Sequence, residues 1–352
     1  MTISTTPFGQ TSDGSPVTKI TLTNRHGNRV SLMSWGASLF EVEVPDRAGK
    51  RANVNLVFDS LEPYLGKHPG FGSTIGRFCN RLAYGKFTID GEPYQVTVNS
   101  GKHCLHGGAV NFSHRNWSTE LIPGDPAASE TDARADRVRY TLVSPDGDEG
   151  FPGELTVTTE YRWNDDNELA ITYTASTTAV TPINLTNHSY WNLGGVDSGT
   201  ALDHVAIVHA DEVLQVDDDL IPTGTLVNVT GTPFDFREPT AFAKRIASLA
   251  ATKGYDHCYV IAGESGELRP TARVTDPGSG RVLEIETTQP GVQLYTANHL
   301  RGNESSNDHG PHDAFCLETQ HFPDSPNHAN FPSTLLRPDE DFQEITVLRF
   351  SC

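Results

Sequence analysis

The chain has 352 residues, 36% of them hydrophobic, which is enough for two ordinary domains or one large β fold. With 45 acidic residues against 26 Lys plus Arg, the net charge of −19 repels phosphate backbones and excludes nucleic acid as the main partner. The longest unbroken hydrophobic run, Cys258 to Ala262, is too short to cross a bilayer, and Met1 to Gln10 shows no secretory signal, so a cytoplasmic protein without membrane attachment is expected.

Period-two alternation dominates the chain. Tyr94, Val96 and Val98 alternate with polar neighbours and predict a strand. Residues 123–137 (PGDPAASETDARADR) read as an exposed loop inserted between strands. Leu155, Val157, Thr159 and Tyr161 predict another strand, and Leu169, Ile171 and Tyr173 the next. Residues 240–251, with Phe242, Ile246 and Leu249 at i, i+4 and i+7, are the best helix candidate. Turn chemistry within residues 273–282 predicts a hairpin, and residues 345–350 predict a final strand. With 31 Gly and 22 Pro as punctuation and no linker or repeat between two halves, residues 1–352 read as a single all-β domain, an antiparallel sandwich or barrel with few short helices.

The five cysteines are odd in number, widely spaced and without a C-x-x-C pair, which argues against a disulfide scaffold or a zinc ribbon. His103-x-x-His106 and His309-x-x-His312 place their side chains on opposite faces of a strand, so no metal is expected there. P-loop, nucleophile-elbow and H-E-x-x-H patterns are absent.

Five segments instead combine hydrogen-bonding side chains with aromatics: GRFCNRL at residues 76–82, LHGG at 105–108, NLTNHSYWNL at 184–193, YDH at 255–257 and LETQHFPDSPN at 317–327. A sugar offers hydroxyls at its rim and apolar C–H faces, and these residue types match both. In extended chain His188 shares a face with Tyr190, and Glu318 with Gln320 and Phe322; a carboxylate and an imidazole facing one pocket make an acid/base pair. An ionised carboxylate near its ordinary pKa of ~4.3 and an imidazole raised above ~6.5 by that negative charge would suit the two roles. Taken singly, Glu318 also reads as a buried ion-pair partner, His188 as a hydrogen-bonded core residue, His106 and Asp256 as turn residues, and Arg81 as a surface salt bridge.

Together and in order, these five segments closely resemble the aldose 1-epimerases, or galactose mutarotases. The resemblance implies a large antiparallel β-sandwich of the galactose mutarotase-like supersandwich type, acting on a small sugar, without cofactor or metal, as a monomer or homodimer. It assigns Glu318 as the base that takes the C1 hydroxyl proton and His188 as the acid that protonates the ring oxygen. Asn80, Arg81, His106, Tyr190, Asp256 and Gln293 would bind substrate, with a bend needed for the adjacent Asn80 and Arg81 to face one site. Trp191, where the family more often has Phe, and Cys79 inside the Asn-Arg motif are departures. The other readings are a silent sugar-binding protein on the same fold, an epimerase for a phosphorylated or otherwise modified hexose, disfavoured by only seven lysines and no cationic cluster near the motifs, and a glycosidase, which needs a second catalytic carboxylate.

Overall fold

A computed structural model of the chain describes residues 2–124 and 136–352. Of the loop expected at 123–137, residues 125–135 lie outside this range, and Asp136 and Arg137 belong to a strand instead. The strands that flank it, Ser118–Ile122 and Asp136–Ser144, pair antiparallel.

Three large antiparallel sheets organise the described residues. The first runs in chain order from Thr2–Gln10 to Arg51–Asn53. The second has nine strands, and its middle is filled by Phe342–Ser351 between Glu168–Thr177 and Val282–Thr287. The third has the order Pro222–Asn228, Glu212–Val216, Asp256–Val260, Gly291–Tyr295, Cys316–Gln320. The all-β expectation holds: among the described residues the α-helices are two single turns, Glu62–Leu65 and Ala243–Ile246.

The core follows from alternation. In Leu155–Trp163 every second side chain is buried, ending on Tyr161 and Trp163. Tyr161 crosses the interior and donates its hydroxyl to Ala37 O at 2.7 Å, tying the nine-stranded sheet to the first. The Leu169–Tyr173 run lies in Glu168–Thr177, the hairpin joins Arg269–Thr275 to Val282–Thr287, and residues 345–350 lie in Phe342–Ser351.

Two expectations are corrected. The helix at 240–251 shrinks to Ala243–Ile246, because Thr240–Ala241 pairs with Val205–Ala206 and the Phe242 and Ala243 amides donate to His204 O and Leu202 O. Tertiary pairing outweighs the helical period. The strand at Tyr94 stops at Gln95; beyond it the Val96 and Thr97 amides turn to Gly85 O and Glu149 O.

Candidate active site

The third sheet carries one wall of the site. Its register sets Asp256 against Tyr295, Tyr295 against Cys316, and Gln293 against Glu318. Paired residues share a face, so Asp256, Tyr295, Glu318, Gln293 and Cys316 point one way while Tyr259, Val292, Leu294 and Leu317 point into the hydrophobic core.

The opposite wall comes from loops held by small ladders. Arg81–Leu82 pairs with Cys104–Leu105, bringing Asn80, Arg81 and His106 together. The His106 amide donates to Asn80 O at 2.8 Å, and the Asn80 amide donates to His106 Nδ1 at 3.2 Å. Asn80 and His106 both have left-handed backbone, with φ of 58° and 56°, which supplies the expected bend. Gly107 follows at φ 88°, where a Cβ would meet Gly76 O at 2.4 Å, so the position excludes any larger residue. Arg77, the first arginine of the Asn-Arg segment, is buried and donates to Pro152 O, Gly153 O and Ser144 Oγ at 2.9, 2.8 and 2.7 Å, anchoring the segment from behind.

Thr186–Asn187 pairs with Thr74–Ile75 and delivers His188, whose amide donates to Ser73 O at 2.9 Å. The His188 ring stacks on Tyr190 and meets His106 edge-on at 5.2 Å. Tyr190 in turn is fixed by its hydroxyl to Pro69 O.

These walls enclose a cavity of about 480 Å³. Asn80, Arg81, His106, His188, Tyr190, Asp256 and Glu318 all line it. Gln293, on the same face as Glu318, is buried and donates Nε2 to Asp256 Oδ1 at 2.7 Å, so its contact is with a pocket residue. Arg81 Nη2 lies 3.6 Å from Asp256 Oδ2, completing a polar chain along one side. At the bottom, His188 Nε2 and Glu318 Oε2 are 3.6 Å apart.

The lining also includes Lys67, His68, Tyr295, His299 and Arg301, which sequence reasoning missed. Lys67 and Arg301 bring cations to a site whose motifs contain no such cluster. They sit in loops without a motif, and only the fold brings them near Glu318. His68 carries a more local signal, a histidine beside Pro69; its Nδ1 accepts the Gly70 amide proton at 3.0 Å, which leaves Nε2 as the protonated nitrogen.

Electrostatics reverse the expected charge states. Burial pushes the Glu318 carboxyl well above the carboxylate range; Asp256 pushes the same way and Arg81 opposes. Burial holds His188 down to about 4, with the negative Asp256 only partly offsetting it. His106 is also pushed well below the usual range by burial, then by His188 and Arg81; neutral, with Nδ1 accepting from Asn80, it presents an Nε2 donor. Desolvation by the apolar wall therefore outweighs the attraction that the sequence suggests. Burial thus favours the uncharged form of both groups.

Residues 18–349 match the aldose 1-epimerase family. The chain is 44% identical to the galactose mutarotase of Bos taurus over 92% of this chain and 91% of that protein. It is 41% identical to the galactose mutarotase of Rattus norvegicus over 100% and 99% of the two chains, and 35% identical to the aldose 1-epimerase of Escherichia coli K12 over 96% of each. Among solved structures, the galactose 1-epimerase of Lactobacillus acidophilus superposes with a TM-score of 0.87 at 27% identity, covering 99% of this chain and 98% of that one. An aldose epimerase homologue from C. elegans gives 0.83 at 30% identity, covering 94% and 98%.

Proposed function

The chain belongs to the aldose 1-epimerase family and is an isomerase of sugar anomers, and on that premise we propose that Glu318 and His188 open and reclose the rings of free aldohexoses, galactose and glucose among them. The observation that carries the assignment is their 3.6 Å separation at the bottom of a polar cavity. The C1 hydroxyl oxygen and the ring oxygen are bonded to the same carbon, so the base and acid serving them must stand close together. A glycosidase pair needs about 5–5.5 Å or more between two carboxyl groups. The asymmetric Glu and His pair is too tight for that reaction and of the wrong chemistry.

Glu318 takes the proton of the C1 hydroxyl, His188 gives its proton to the ring oxygen, and the bond from C1 to the ring oxygen breaks to leave an aldehyde. Rotation about C1–C2 turns the other carbonyl face toward the oxygen, and the reverse transfers close the ring. Through the sugar, opening moves one proton from His188 to Glu318. It ends in the neutral state that burial favours for both groups. Because burial favours that same neutral state in the resting site, the charged pair that starts the opening is a minority form, and the single proton returns on closure.

Asn80, Arg81, Asp256 and the His106 Nε2 donor hold sugar hydroxyls, and Tyr190 backs the catalytic imidazole. Gln293 acts through Asp256. All described cysteines are free thiols, four of them buried, which supports a reducing compartment and hence the cytoplasm. Among the described residues no helix is long and apolar enough to cross a membrane.

The test is polarimetry on freshly dissolved α-D-galactose and α-D-glucose. Glu318→Gln and His188→Asn each lower the enzyme-dependent rate by about 10²-fold to 10⁴-fold in a folded protein. Saturable galactose binding by the wild type without acceleration would instead make it a silent sugar-binding protein.

A further inference from the structure

Cys316 takes no part in these proton transfers, yet it stands beside them. Strand alternation puts it on the same face of Cys316–Gln320 as Glu318. One ligand atom each from His188, Cys316 and Glu318 lie within 4.8 Å of one another. All three side chains are buried, and Glu318 Oε2 has no hydrogen-bond partner.

A carboxylate oxygen, an imidazole nitrogen and a thiolate sulfur form a borderline-soft donor set, which suits Zn²⁺ and not Mg²⁺ or Ca²⁺. Tetrahedral zinc, with bonds of roughly 2.0–2.3 Å, spaces its ligands about 3.5 Å apart. His188 Nε2 and Glu318 Oε2 already stand at 3.6 Å, and with all three ligand atoms within 4.8 Å of one another, closure requires an approach of about 1 Å. With three protein ligands, the fourth position is left for water or a sugar hydroxyl from the cavity that His188 and Glu318 line.

We propose that His188, Cys316 and Glu318 form an inhibitory site for a borderline-soft divalent cation, Zn²⁺ foremost. The inference rests on the roles given above to His188 and Glu318, and adds Cys316 as the residue that turns an acid/base pair into a metal ligand set. On binding, the Cys316 thiol and the Glu318 carboxyl each give their proton to solvent and coordinate as thiolate and carboxylate beside the neutral His188 imidazole; no electron is transferred. The ion occupies both proton-transfer groups and therefore competes with the sugar.

The experiment follows galactose mutarotation by polarimetry at increasing ZnCl₂, with and without EDTA, in the wild type and in Cys316→Ser and Cys316→Ala. Binding is read separately, without sugar, by Co²⁺ absorption. Zinc should raise the galactose KM and leave kcat unchanged, EDTA should restore the rate, and loss of the thiol should raise the half-inhibiting zinc concentration about tenfold or more. Bound Co²⁺ should show a thiolate charge-transfer band that galactose displaces and the Cys316 variants lack. Inhibition that is not competitive, that is unchanged in a folded Cys316 variant, or Co²⁺ binding without the thiolate band overturns the proposal. A wild type with no mutarotation in zinc-free buffer overturns the catalytic assignment instead, and the cobalt spectrum still decides the metal site.

Discussion

The imidazole of His188 lies flat against the phenol ring of Tyr190, with centroids 4.9 Å apart and planes within 4° of parallel. The stack fixes the orientation of the acid, and the Tyr190 hydroxyl fixes the stack by donating to Pro69 O at 3.3 Å. Tyr190→Phe keeps the ring and loses one hydrogen bond, so it should cost about 1 kcal/mol of stability with kcat near wild type. Tyr190→Leu removes the platform, worth about 1 kcal/mol beyond its buried area, and should lower kcat about tenfold. Equal kcat values for the two variants would show that the stack has no positioning role.

Burial raises Glu318, so the folded protein holds a proton that the unfolded chain releases above the ordinary carboxylate range. The residue therefore costs stability as pH rises. Glu318→Gln, a neutral isostere, should have a higher melting temperature than wild type at pH 8, with the gap closing toward pH 5. Thermal melts of both proteins across that range check it, and a variant less stable at pH 8 would contradict the charge state assigned here.

His188 and His257 are held down to about 4, and His68 to about 3, in each case mainly by burial. Unfolded, each titrates near ~6.5. Below that pH the unfolded chain binds protons that the folded chain refuses, so stability falls as pH drops toward 4. For His188 alone the loss over that interval is on the order of 3 kcal/mol. His188→Asn should flatten the acid side of the stability curve by about that amount in denaturant titrations at pH 7 and pH 4.5. In the same way kcat/KM should hold a plateau through neutral pH, with its acid limb near 4 as the pair takes up a second proton.

Gln293 touches Asp256 and not the cavity. A hydrogen bond to a charged acceptor is worth roughly 1.5–3 kcal/mol, so Gln293→Leu should raise KM about tenfold and leave kcat less affected. Asp256→Asn in the same background should add far less than it does alone, and a double-mutant cycle should return a coupling of about 1 kcal/mol or more. Additive effects would restore Gln293 as an independent sugar ligand.

Gly107 and Gly147 both have left-handed backbone, at φ 88° and 79°, but a Cβ at Gly107 meets Gly76 O at 2.4 Å while one at Gly147 meets nothing within 4 Å. Gly147→Ala should cost about 1–2 kcal/mol from backbone strain alone. Gly107→Ala should cost clearly more and should also weaken activity, since it displaces His106. Chemical denaturation of the two variants separates these effects.

Much of this was readable before the fold was known. Alternation found the strand at Leu155 because it buries one face and the strands at Leu169 and 345–350 although these bury residues on both, and turn chemistry found the hairpin at 273–282. The ordered motifs hold Asn80, Arg81, His106, His188, Tyr190, Asp256 and Glu318, all of which line the cavity, and passed over Leu105, which lies in one of them. Lys67, His68 and Arg301 escaped because their place depends on loops folding over a distant sheet. Gln293 shares the face of Glu318 by cross-strand register, but the sequence does not show that its amide is taken up by Asp256. The charge states were misread for a similar reason: the sign of a pKa shift in a buried pair depends on how dry the surroundings are, and composition does not report dryness.

The position of Phe342–Ser351 at the middle of the nine-stranded sheet bears on how the chain is made. The strands on either side, Glu168–Thr177 and Val282–Thr287, have no direct partner in each other and wait for this segment to arrive. The two halves of that sheet cannot join until this segment pairs with both, and each keeps one strand edge open until then. Joining the sheet is then a non-local step, slower than forming the hairpins on either side.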